Sequence, residues 1–430
     1  MRRIGYGLIL VMMAAVLVRA DDERNRARYD KHKEDPVLKQ MSEDNKKAAA
    51  ERQKETTAIR ERQKEEKEAE RQERRALVSD LSGVTPPGSV AEFEAPFHFA
   101  PVRQHLTGSC WSFSATSFFE AEIFRLTGKK IKLSEIWTVY YEFLEKSRRF
   151  IRERGASYVS HGSEFTSVLK IWDSYGMVPA AAYPGLPEGK TRHDHSALMD
   201  ELEAYLDMVK AKDMWDEDDN LRHVALILDK YLGPPPREFT YNGRQWTPRQ
   251  FLAEATGLHM DDYHAVMSTL YFPFYTCQEL RAPDNWWHCD DFINLPLDEW
   301  YATLQAALAG GYTAVLGGDV SEPGKLGMAD VAFVPTFDIP AAHIDQSARE
   351  YRMVNKSTTD DHAIHAVGHT RVGDFDWYLI KDSGSSATWG QYEGYYLFRD
   401  DYVRLKMLFF AVHKDALADI LPRLEAAAVE

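Results

Sequence analysis

Cysteine is scarce in this chain: three residues in 430, Cys110, Cys277 and Cys289. So few exclude a disulfide-stapled scaffold, and an odd count leaves at least one thiol unpaired. The economical pairing joins Cys277 to Cys289 and leaves Cys110 free. Positive charge is also short, with 52 Lys and Arg against 67 Asp and Glu and a formal net charge of −15. That balance argues against nucleic acid as a partner, because binding a phosphate backbone needs concentrated Lys and Arg. Familiar ligand motifs fail on spacing. "GLPEGKT" (Gly185–Thr191) has too few residues between its glycines for a phosphate loop. "HDH" (His193–His195) and "HMDDYH" (His259–His264) lack zinc-enzyme spacing, and "DEDDN" (Asp216–Asn220) lacks the glycine of a calcium loop. These runs are expected to be solvated surface. No nucleophilic-serine elbow is present.

What remains is the composition of a globular protein, 44% hydrophobic and 12% aromatic. The first twenty residues stand apart: Arg2 and Arg3, an apolar run to Val18, then the small-residue site Val18-Arg19-Ala20. This is the layout of a secretory signal peptide over 1–20, and the run is shorter than a membrane span prefers. It predicts an exported protein, periplasmic or secreted. Residues 21–80 form a second region. Its part to about 76 is dense in Glu, Lys, Arg, Gln and Ala with opposite charges three or four apart, and no apolar a/d stripe runs through it. A solvated helix or spacer is expected there, with a partner of its own as an open question. "GVTPPGS" (Gly83–Ser89) breaks it, and 81–430 reads as the globular domain.

In that domain, Trp111, Ala115, Phe118, Glu122 and Leu126 follow helical spacing and Gly128 supplies a stop. Cys110 therefore opens a largely buried helix. "LSEIWTVYYEFLEKSRRF" and "SEFTSVLKIWDSYG" predict two more helices, and about 190–300 reads as a mostly helical insertion. After 310 the pattern changes to short β-branched or aromatic runs, "YTAVLGGDV", "HAIHAVGHT", "DWYLIKDS" and "GYYLFRDDYV". Helices early and an antiparallel sheet late predict an α+β fold of two halves with a cleft between them.

A thiol becomes a nucleophile when ionised, and a helix N-terminus with a neighbouring imidazolium favours the thiolate. Cys110 has the first by position. Gln104, six residues earlier, offers an amide donor for an oxyanion alongside the Cys110 N–H. The run Gln104–Cys110–Trp111 with Phe113 and Ala115 resembles the active-site helix of papain-like cysteine peptidases. Two further motifs of that family follow in order. "DDHAIHAVG" supplies His362 between Asp361 and Ala363, and "IKDSGSSATWGQYEGYY" supplies Lys381-Asp382-Ser383, then Trp389-Gly390 and Gly394-Tyr395. "KLSEIWTVYYEFLEK", "LKIWDSYGMVPAAAYP" and "PLDEWYATLQAALAGGYTAVLGGDV" are similar to the bleomycin hydrolase or aminopeptidase C branch. The likeness covers roughly 95–415 and leaves out the charged segment.

The resemblance implies a papain-like fold with Cys110 as nucleophile, His362 as general base and then acid, Asp382 as the group that orients it, and Gln104 in the oxyanion hole. It implies peptide substrates cleaved through a thioester, without metal or organic cofactor, and it raises a homo-oligomer as an expectation. Gly162, in "SHGSEF", is the expected backbone position for pairing with an extended substrate; a plain turn is the alternative. His365 has the opposite strand parity to His362 and is expected to be structural. Two departures stand out. Asp382 occupies the position of the family's Asn, and Gly384 that of the Trp that shields the pair, which predicts a wetter His362–Asp382 contact. Three readings stay open: aminopeptidase, endopeptidase, or a catalytically degenerate exported binding or scaffold protein. The tail "DALADILPRLEAAAVE" is expected to begin as a surface helix.

Overall fold

The computed structural model describes Asn25 and residues 27–427, so the expected signal peptide at 1–20 lies outside the described residues. The chain divides into two compact units, Met1–Arg75 and Ala76–Glu430. The first contains one long helix, α1 (Pro36–Glu73). Asp35 caps it by accepting from Val37 N–H at 2.8 Å, and no residue of it is buried. A helix with no apolar stripe has no face to bury, so its side chains stay in solvent.

The second unit opens with the three expected helices: α2 (Cys110–Thr127), α3 (Glu135–Arg152) and α4 (Phe165–Tyr175). Ser134 caps α3, accepting from Trp137 N–H at 3.1 Å. Gly176 ends α4 with φ +71°, and a side chain there would meet the Pro248 backbone at 2.3 Å. Then come α5 (Ser196–Ala211) and α6 (Glu217–Leu232), a hairpin of β1 (Phe239–Tyr241) and β2 (Arg244–Trp246), and α7 (Pro248–Ala255). Asp216 of the rejected acidic run caps α6 through Asp219 N–H at 2.8 Å, and the acids of its first turn favour the positive helix end. His195, expected in solvated surface, is instead buried, with its ring 6.4 Å from that of Phe143.

The remainder builds one ten-stranded sheet. Its strands are β3 (Tyr263–Met267), β4 (Thr276–Gln278), β5 (Phe292–Asn294), β6 (Ala314–Gly318), β7 (Lys325–Leu326), β8 (Val331–Ala332), β9 (His362–Val372), β10 (Phe375–Lys381), β11 (Tyr395–Arg399) and β12 (Met407–His413). They are ordered β4-β5-β3-β12-β6-β9-β10-β11-β8-β7. Helices α8 (Leu297–Ala309), α9 (Gln346–Asn355), α10 (Asp400–Lys406) and α11 (Leu421–Ala427) connect or flank the strands. The α+β architecture is that expected, with two differences. The pairs β3/β5 and β8/β11 are parallel, and β3–β5 come from the stretch expected to be helical. The Tyr263–Met267 run pairs residue by residue with His413–Phe409 of β12, so a partner far along the chain decides its conformation.

The two larger of three buried apolar clusters meet at the sheet; the third gathers Phe93, Val367, Trp377 and Leu397. Of the larger two, one packs α2, α3 and α4 through Trp111, Phe118, Phe119, Trp137, Phe165 and Trp172; the other packs α8 and α10 through Trp300, Tyr378, Tyr396, Tyr402 and Phe410. The Cys277–Cys289 disulfide does not form, and all three cysteines are free. Register explains this. Cys277 stands opposite Ile293 in the β4–β5 pair and is exposed, whereas Cys289 turns inward, its Sγ 3.3 Å from Asp291 Oδ2. The tail does not begin as the expected surface helix: it opens with a 3-10 turn, Lys414–Leu417, whose Leu417 is buried, and α11 follows, with Arg423 paired to Glu299 on α8.

Candidate active site

Cys110 is the first residue of α2, and no side chain caps that helix. The Cys110 and Trp111 N–H groups therefore carry the positive end of the helix dipole, while those of Ser112 and Phe113 donate to the Ser109 carbonyl at 3.0 and 3.2 Å. The approach to the helix is fixed by Gly108, whose φ of +59° suits glycine and whose missing side chain would sit 2.7 Å from His161 Cβ. Trp111 anchors the first turn by donating its indole N–H to the His161 carbonyl at 3.0 Å.

His362 opens β9, and its Nε2 lies 2.7 Å from Asp382 Oδ1. Asp382 immediately follows β10, next to β9 in the sheet, so strand pairing places the two side chains. The ring's other nitrogen is left for the thiol. Burial alone would lower the His362 pKa; the Asp382 carboxylate and then Cys110 more than reverse this and raise it to about 10. Asp382 is held well below the usual carboxylate range. Burial opposes this, and His362, Lys325 and the Gly384 N–H overcome it. The expected wetter pair is not found. The Asp382 side chain is 0% exposed and that of His362 11%. The reason is backbone packing: Gly384 donates its N–H to Asp382 Oδ1 at 2.7 Å, and a side chain there would begin 3.1 Å from that oxygen.

Gln104 is oriented from both ends. Its N–H donates to the Ser383 carbonyl at 3.0 Å, and its Oε1 accepts from the Ser383 hydroxyl at 2.7 Å. With the amide oxygen occupied, the amide nitrogen is the free end. Cys110, His362, Asp382 and Gln104 are thus joined by α2, β9 and the residues after β10. His365 faces the other way. It is fully buried against α2, its Nδ1 2.8 Å from Ser117 Oγ.

Gly162 lies in the loop before α4, and its open face is covered. A side chain there would fall 1.9 Å from Asp284 Oδ2, while the Gly162 carbonyl accepts from Lys146. Asp284 belongs to a loop pinned by two tryptophans. Trp287 donates to Glu142 Oε2 at 3.2 Å, and Trp286 donates to Glu142 and, at 3.3 Å, to Ser163 Oγ. Glu164 is buried beside this point. Burial, then the Asp360 and Asp284 carboxylates and Cys110, push its pKa well above the usual range. On this side of Cys110, burial and the crowding of carboxyl groups therefore favour the uncharged form of Glu164.

Sequence reasoning missed three of these groups. Lys325 on β7 places Nζ 3.5 Å from Asp382 Oδ2. Ser383 holds Gln104, and Asp284 covers Gly162. An aspartate in a buried position signals that a cation must lie nearby, but nothing in the sequence selects Lys325 among the lysines.

The profile of the Peptidase C1-like family matches residues 39–428, reaching into α1 beyond the stretch carried by the motifs. The chain is 26% identical over 272 residues to the aminopeptidase C of Streptococcus thermophilus, covering 51% of this chain and 59% of that protein. It is 23% identical over 381 residues to the aminopeptidase C of Lactococcus lactis subsp. cremoris, covering 77% and 84%. The match thus spans less than two thirds of the first relative's length. Among solved structures the fold resembles PepW from Lactobacillus rhamnosis, with a TM-score of 0.60 at 18% identity over 81% of this chain and 87% of that one.

Proposed function

The chain belongs to the Peptidase C1-like family of papain-like cysteine peptidases, and from that premise we propose that it is an exported aminopeptidase with Cys110 as its nucleophile. The observation that carries the catalytic assignment is the His362–Asp382 contact at 2.7 Å, with Cys110 close enough to raise the His362 pKa. In this reading the His362 imidazolium pairs with the Cys110 thiolate, which attacks the scissile carbonyl carbon. The developing oxyanion accepts from the Cys110 N–H and the Gln104 amide. Collapse of the tetrahedral adduct breaks the C–N bond, and His362 gives its proton to the leaving amine. Water, deprotonated by His362, then hydrolyses the thioester.

Two things favour an aminopeptidase over an endopeptidase. The relatives in both sequence matches bear the name aminopeptidase C. The carboxylate of Asp284, lying on the Gly162 α-carbon, would obstruct a chain continuing past that point and would attract a free α-ammonium group. Gly162 would then pair with only a short length of substrate. Export rests on the layout of residues 1–20, and the charged helix α1 is assigned to spacing or partner contact.

The test is labelling by a thiol-directed epoxide, read by mass spectrometry of the Cys110 peptide. Rapid modification of Cys110, with loss of peptidase activity, is expected. An inert Cys110 in folded, reduced protein would favour the degenerate binding protein instead.

A further inference from the structure

A carboxylate with no solvent contact needs its charge balanced at both oxygens, since an uncompensated buried charge is strongly destabilising. At Asp382 only one oxygen is served by hydrogen bonds. Oδ1 accepts from His362 and from Gly384 N–H, whereas Oδ2 is buried with no hydrogen-bond partner. Lys325 faces that second oxygen, with Nζ 3.5 Å away and a side chain only 7% exposed. Its ammonium is fixed from two further sides, donating to Ser386 Oγ at 3.0 Å and lying 4.4 Å from the Tyr396 ring centroid. The charges therefore alternate along one path: ammonium, carboxylate, imidazolium, thiol.

We propose that Lys325 is a positioning residue for catalysis, the buried counter-ion that keeps Asp382 ionised while preventing it from over-stabilising the His362 imidazolium. The other titratable groups near this path are Asp361 just before β9, Tyr396 on β11, Glu164 beside Cys110, and Lys381 and Lys132, which line a small cavity with Asp382. The Lys381 and Lys132 ammonium groups are held by Ser117 Oγ and Glu120 Oε1, each at 2.7 Å, so Lys325 is the lysine paired with the carboxylate. Removing its charge leaves the site one unit more negative. Thiolate formation then becomes harder and imidazolium loss harder, so both limbs of the pH profile move up. Replacing Asp382 by Asn leaves Lys325 unpaired and moves both limbs down. Changing both restores the balance.

This rests on the pairing of Cys110 with His362 proposed above, and the test reads that pair without peptide hydrolysis. The rate of Cys110 alkylation by iodoacetamide is measured against pH by mass spectrometry of the Cys110 peptide, which separates it from Cys277 and Cys289. Lys325→Met should raise the lower limb by about 0.5 to 1 pH unit, and Asp382→Asn should lower it by a similar amount. The double variant should return to within about 0.3 unit of the parent, and Lys325→Arg should stay at the parent value. An unmoved limb in Lys325→Met, or a double variant displaced as far as either single one, would overturn the proposal. Should Lys325→Met not fold, the double variant decides, because it buries no unpaired charge; its failure to fold would count against the proposal equally. A chain that alkylates as expected yet cleaves no peptide would sink the peptidase reading and leave the role of Lys325 standing.

Discussion

At His362 two effects compete for one proton, and the magnitudes decide. Burial disfavours the imidazolium, but a carboxylate at 2.7 Å and the adjacent thiol win and carry the pKa from 6.5 to about 10. A histidine raised in the folded state contributes stability that is complete below its unfolded pKa of about 6.5 and is lost as pH rises through about 10. The urea midpoint should therefore fall between these limits, and His362→Gln should flatten that slope. Gln104→Ala should lower kcat by about 10²-fold with little change in KM, the signature of a donor used in the transition state. A raised KM with kcat unchanged would assign Gln104 to substrate binding instead. Cys110, His362, Asp382 and Gln104 were legible in the sequence because each sits in a local run with the family's flanking residues. Lys325 and Asp284 were not, since their importance arises only when distant segments are folded against Asp382 and Gly162. The expected wetness of the pair failed for a related reason: losing a shielding side chain at Gly384 let the backbone itself close over the carboxylate.

Helices were read well where side chains punctuate them. Gly128 ends α2 with φ +70°, Ser134 caps α3, and Gly176 closes α4, each as its residue type predicts. The short strands β3–β5 escaped because three to five residues carry too little periodicity, and their pairing partners decide their state. Gly176 gives the sharpest test among these elements. Its φ of +71° and the Pro248 backbone 2.3 Å from any added Cβ leave no room for adjustment. Gly176→Ala should destabilise the protein by about 2 kcal/mol or more. A denaturation midpoint equal to the parent's would show that the α4–α7 junction is looser than described. At the loop pinned by Trp286 and Trp287, Asp284→Asn should raise KM for peptides with a free N-terminus severalfold and leave alkylation of Cys110 unchanged. An unchanged KM would remove Asp284 from substrate recognition.

For the whole molecule, the helical core holds the α2 N-terminus, while the sheet carries His362 at the start of β9, Asp382 just beyond β10 and Lys325 on β7. Helix α1 contributes no buried residue, so a chain beginning at Ala76 should melt within about 3 °C of the full protein. A large drop would assign α1 a structural role. Whether Cys110 cleaves peptides from a free N-terminus is decided by one experiment. A fluorogenic peptide would be offered with its N-terminus free and acetylated, to the parent protein and to Cys110→Ala. Cleavage of the free form only is expected, reduced roughly 10³-fold or more in the variant. Equal cleavage of the acetylated form, or undiminished turnover by Cys110→Ala, would contradict it.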